Sequence, residues 1–145
     1  MKRPEPNQEL VKLIYRHRKK YAKIGIVKCP ILRNKEVHFT GQGFRHLYIE
    51  GTGHPRGLAD ATMRLSMLPE AVNVLQRSRM IRKTTLLEAK DSPIGKKILH
   101  HEIFCKIGTA QIGAIVVVRQ IGNGNLHFYG IRPARKRNRP PKRSI

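Results

Sequence analysis

Between Ile98 and Ile131 the chain reads as three extended segments, Ile98 to Ile107, Gln111 to Arg119 and Asn125 to Ile131, separated by Gly108-Thr109-Ala110 and Gly122-Asn123-Gly124. Two glycine-bearing breaks between β-rich segments are hairpin signals, so this half of the chain is committed to an antiparallel meander. The run Ile115 to Val118 is apolar on both faces and belongs in mid-sheet. Thr84 to Ala89 supplies a fourth strand. A sheet of this kind needs cover on one face, and the first half of the chain offers helices for it. Phe44 to Glu50 is one. A longer stretch from Ala59 to about Arg79 is another, restarting at Pro69, a residue suited to a first helical turn. Ile24 to Cys29 and Glu36 to Thr40 read as short strands separated by Pro30 and Asn34. The expected fold is α+β, with amino-terminal helices followed by a four-stranded antiparallel sheet.

The 145 residues suffice for one domain with a real core. Both ends differ from the middle. Residues 1–23 read as a basic amphipathic helix with Leu10, Val11, Ile14 and Tyr21 roughly on one face, and residues 134–145 as a basic tail with too little apolar content to order itself. Residues 24–133 form the domain proper. Across the chain 30 Lys and Arg face 9 Asp and Glu, a net charge of +21, and so one-sided a balance points to a polyanionic partner. No apolar run is long enough for a membrane span, no secretory signal stands at the amino terminus, and Cys29 and Cys105 are too few for a disulfide framework. A cytoplasmic protein with no membrane partner is expected.

Scarcity of carboxylates narrows the chemistry. No acidic residue follows Glu102, and no D-x-D pair is present to hold Mg²⁺ ions. His100-His101-Glu102 with Cys105 matches no zinc motif, and neighbours on a strand point to opposite faces. Gly51-x-Gly53 with Gly57 has the wrong spacing for a phosphate loop. No metal and no cofactor is expected. Seven His and many Arg remain, the residue types that suit metal-free RNA cleavage: the ribose 2′-OH attacks the adjacent phosphate, and the enzyme supplies a base, an acid and cations.

Placement selects among them. On Asn125 to Arg132, Leu126, Phe128 and Gly130 share one strand face while His127 and Tyr129 project from the other, with Arg132 just beyond. In the segment around Phe44 and Leu47, Arg45 and His46 lie off the apolar stripe. Arg64 sits among Ala61, Met63, Leu65 and Leu68. The plain alternatives are a solvated strand face for His127 and Tyr129, a helix-surface histidine for His46, and an Arg stem along the core margin for Arg64. His101 shares a face with Leu99, Ile103 and Cys105 and reads as a satisfied core histidine, while His100 faces the other way with Glu102. His17, His38 and His54 lack company.

The segment V-H-F-T-x-x-G-F-R-H-L (Val37 to Leu47), the Arg-bearing helix ending at Leu68-Pro69, V-V-V-R (Val116 to Arg119) and L-H-F-Y-G-I-R (Leu126 to Arg132) together resemble the phage-associated nucleases grouped with barnase, EndoU, colicin-type tRNases and RelE-like toxins. The resemblance spans about Glu36 to Arg132. It implies metal-independent endoribonuclease activity leaving a 2′,3′-cyclic phosphate, with His46, Arg64, His127, Tyr129 and Arg132 as catalytic residues. Arg45, Arg56, Arg119, His100 and Arg135 are expected to bind substrate. A toxin-like role, and with it an acidic antitoxin or immunity partner, is implied by the resemblance only. The competing reading is a non-catalytic RNA-binding protein of ribosomal-protein type, which composition favours at least as much. DNA binding ranks third, because no recognition-helix or zinc-finger signature stands out.

Overall fold

The computed structural model describes residues 6–106 and 113–134. The Gly108-Thr109-Ala110 turn and the tail with Arg135 lie outside the described residues. Helix α1 (Pro6–Ala22) turns Leu10, Leu13, Ile14, His17 and Tyr21 inward. Leu10, Ile14 and Tyr21 face inward as expected, but Val11 is 61% exposed, and Leu13 and His17 complete the stripe instead. Strands β1 (Ile26–Cys29) and β2 (Lys35–His38) pair as an antiparallel hairpin around a short 3₁₀ turn at Pro30–Leu32. Arg33 and Asn34 close it with φ of 62° and 61°, a left-handed geometry that Asn tolerates better than most residues.

Helix α2 is shorter than expected, only Gly41–Arg45, and His46 caps its carboxyl end. Helices α3 (Leu58–Ser66) and α4 (Leu68–Arg77) are separated at Met67, with Pro69 in the first turn of α4 as the sequence suggests. Strands β3 (Met80–Leu87), β4 (Ile98–Lys106), β5 (Gly113–Ile121) and β6 (Leu126–Ala134) follow. They pair antiparallel in chain order, as the meander requires.

The expectation of a four-stranded antiparallel sheet needs correcting. The sheet has six strands in the order β1-β2-β6-β5-β4-β3, and β2 runs parallel to β6. That parallel contact is only two pairs long, Val37↔Leu126 and His38↔His127. It joins segments far apart in sequence, so turn chemistry gives no sign of it. β5 lies inside the sheet as expected, with Ile115, Val116 and Val118 at 1%, 0% and 0% exposure. At the far edge all eight residues of β3 are exposed. A register skip between Ile81 and Lys83, with Arg82 as the extra residue, protects that edge from pairing with another chain.

The core lies on the face where α4 packs against β4, β5 and β1. Leu65, Leu68, Ala71, Val74 and Leu75 meet Ile103, Val116, Val118, Phe128 and Ile131 there. An aromatic cluster ties α1 and α2 to the sheet: the Phe39 and Phe128 rings stack at 4.8 Å, and Tyr21 lies 5.0 Å from Phe44 and 5.7 Å from Phe39. Each such pair adds about 0.5–1.5 kcal/mol beyond the area it buries. The Tyr21 hydroxyl donates to the Thr40 carbonyl at 2.6 Å, fixing the approach to α2. Gly43 is required here, because a Cβ would run into the Phe128 carbonyl.

Candidate active site

Register places the site. His127 on β6 is opposite Arg119 on β5, Arg119 is opposite His100 on β4, and His38 on β2 is opposite His127. Directly opposed residues point to the same face, so His38, His127, Arg119 and His100 form one row across four strands. This is the face away from Phe128 and Val118.

A bulge completes it. Val117 pairs with Gly130 and Val118 with Phe128, leaving Tyr129 without an opposite number on β5. The extra residue shifts the phase of β6 by one. Gly130 therefore does not share the core face with Leu126 and Phe128, as strict alternation would have it. A Cβ there would lie 3.2 Å from Nδ1 of His46. The same shift carries Arg132 onto the His127 face, where one of its terminal nitrogens lies 3.2 Å from Oε1 of Glu102. Arg132 also lies within β6 rather than beyond it.

Tyr129 is the centre of the cluster. Its ring stacks on His46 at 4.1 Å and on His100 at 5.3 Å, and the Arg119 guanidinium lies over it at 4.6 Å. The helical segment thus delivers His46 to the sheet, where it shares the Tyr129 ring with two residues of the His127 row, His100 and Arg119. Arg56 holds it there. Its side chain is 9% exposed, and Nε donates to the His46 carbonyl at 3.0 Å while a terminal nitrogen reaches Asp60 at 3.4 Å. Arg64 donates Nε to Asp60 at 2.8 Å and a second nitrogen to the Ile131 carbonyl at 3.2 Å. One carboxylate, Asp60, therefore engages both Arg56 and Arg64, and Glu102 engages Arg132.

Arg119 differs. Among the described residues it has no carboxylate partner, and its Nε is buried without a hydrogen bond. The buried Nδ1 of His46, Nε2 of His100 and Nδ1 of His127 are unpartnered as well. Buried polar nitrogens are nearly always satisfied, and four unpaired ones lie together in this cluster. The electrostatics agree. Burial, then the nearby Arg56, Arg64 and Arg119 guanidinia, push the His46 imidazole down to about 4. Burial and then Arg119 hold His100 and His127 below the usual imidazole value. The imidazoles are thus neutral at pH 7. An anion arriving beside Arg119 would relieve the repulsion and raise their proton affinity.

Arg45 is exposed and borders a hollow with Gln42, His46, Glu50, Gly51 and Tyr129. His101 accepts or donates a bond of 2.9 Å with Thr84 Oγ1 on the other face and is satisfied there. The sequence offered no reason to single out His38, since its neighbour His127 is reached only through the parallel β2–β6 contact. Nor did it reveal Asp60 and Glu102 as partners of the arginines, although the i, i+4 spacing of Asp60 and Arg64 is a local signal that could have been read. Among the described residues no group of three His, Cys, Asp or Glu is arranged to hold a metal ion. No helix among them is long and apolar enough to cross a membrane. Comparison with protein-family models, with curated proteins and with solved structures gives no match.

Proposed function

We propose that the chain is a metal-independent endoribonuclease whose active site is the His46–Tyr129–His100–Arg119–His127 cluster. The observation that carries this reading is the set of three unpartnered buried imidazole nitrogens gathered around one uncompensated guanidinium whose own Nε is unpartnered. A phosphodiester supplies what they lack, namely negative charge and acceptor oxygens.

In this reading Arg119 receives the scissile phosphate. His46, with its strongly lowered proton affinity, is neutral and takes the proton from the ribose 2′-OH as that oxygen attacks phosphorus. The bond from phosphorus to the 5′ oxygen breaks, and that oxygen leaves with a proton from His127, which the bound phosphate has charged. The products are a 2′,3′-cyclic phosphate and a free 5′-OH. His100 and Tyr129 line the phosphate, and Glu102 and Asp60 fix Arg132 and Arg64 as the walls of the site.

The test is incubation of purified protein with RNA in excess chelator, followed by analysis of the ends. Fragments ending in 2′,3′-cyclic phosphate are expected, together with no cleavage at a linkage carrying a single 2′-deoxy sugar. RNA that stays intact while bound would replace this reading with that of a basic RNA-binding scaffold.

A further inference from the structure

The row of opposed residues does not end at the candidate site. Beyond His127 it continues to His38 on β2, and two strand spacings of about 4.8 Å separate β2 from Arg119 on β5. A group held at β2 is therefore about 10 Å from one held at Arg119, too far for a single phosphate to touch both. Just before the two-pair contact, β2 and β6 diverge and leave a notch. It is lined by Lys28, Lys35, Glu36, His38, Asn125 and Gln120, among others. The Gln120 amide is already spent on the Gly124 carbonyl at 2.9 Å, and the only carboxylate there, Glu36, forms no salt bridge among the described residues. Lys28 and Lys35 are both exposed; Lys28, opposite Glu36, shares the face of His38, and Lys35 borders the notch from the other side of β2, so the notch presents one ammonium group from each side, an imidazole and an amide. That is an inventory of donors matched to phosphate oxygens and sugar hydroxyls.

Resting on the nuclease reading above, we infer that an RNA strand crosses the sheet perpendicular to its strands, and that the β2–β6 notch is a second subsite holding the phosphate of a nucleotide next to the scissile linkage. The substrate class is thus single-stranded RNA longer than a dinucleotide. A duplex would not do, because A-form geometry keeps the 2′-OH out of line with the leaving 5′ oxygen, whereas the splayed nucleotides of a single strand can reach the in-line position. Each phosphate taken up there releases counterion and strengthens the salt dependence of binding.

The experiment compares a dinucleotide with a six-nucleotide RNA of the same scissile step, using K28E/K35E and, as a control of equal charge change, K12E/K19E on the exposed face of α1. The ratio of kcat/KM for the long over the short substrate falls about tenfold in K28E/K35E, the equivalent of one charge-assisted hydrogen bond, and by much less in the control. Equal losses in the two variants, or no loss in either, would overturn the subsite. In parallel, binding of a six-nucleotide RNA blocked by a 2′-O-methyl group at the scissile sugar is measured at two salt concentrations. A wild-type protein that cleaves nothing would end the nuclease reading, and the binding arm still decides the notch: affinity reduced about tenfold in K28E/K35E alone supports it, and affinity equal to that of the control variant refutes it.

Discussion

Phe128 and Tyr129 are neighbours in the chain and lie in opposite environments. Phe128 is fully buried, stacked on Phe39 and close to Tyr21, with no polar demand left unmet. Tyr129 lies on the other face among three histidines and an arginine, four of whose buried nitrogens have no partner. The first face gains stability from apolar burial and aromatic contact. The second carries desolvated imidazoles beside an unpaired guanidinium, on the opposite face of the strand from that apolar packing. In the proposed function a bound phosphate supplies the partners this cluster lacks.

That difference predicts a separation of effects. F128A removes a fully buried ring that bridges α1, α2 and β6, and it should lower stability by about 3–5 kcal/mol, measured by denaturant unfolding, whatever it does to activity. R119A should do the reverse. Cleavage falls about 10²- to 10³-fold, as for loss of one preorganised cation at a developing charge, while the melting temperature stays level or rises because an unpaired buried donor is gone. A melting temperature that collapses in R119A would show that the guanidinium is structural. G130A places a methyl group against the His46 ring and should reduce cleavage roughly tenfold for a stability change of about 1 kcal/mol, since the ring must shift by a few tenths of an ångström.

A further expected effect is on pH. His17, His46, His100, His101 and His127 are all held below the ordinary imidazole value of 6.5, each chiefly by burial. Below pH 6.5 the unfolded chain takes up protons that the folded chain refuses, so stability is full above that pH and declines as pH falls toward about 4, where His46 is protonated. Inorganic phosphate should blunt the decline by binding beside Arg119. If thermal melts are flat between pH 7 and 4.5, the cluster is more solvated than its burial indicates.

Much of this was legible in the sequence, for reasons specific to particular residues. The alternation in Leu126 to Tyr129 and the doubly apolar run Ile115 to Val118 are local patterns, and local patterns encode strand faces directly. His127 and Tyr129 could be put on one face that way. Other features depend on pairing, which composition does not carry. The bulge at Tyr129, which brings Gly130 and Arg132 round to the site, follows from how β5 and β6 pair. His38 reaches the row only through a parallel contact two residues long. The reach of α1's apolar stripe was missed at Val11 because Leu13 and His17 offered an equally good helical face.

The most direct test is H127A in the presence of chelator, measured for cleavage, RNA affinity and melting temperature on the same preparation. The account predicts a loss of cleavage of about 10²- to 10⁴-fold, affinity within about twofold of wild type and an unchanged fold. Cleavage at the wild-type rate by a folded H127A protein would contradict it.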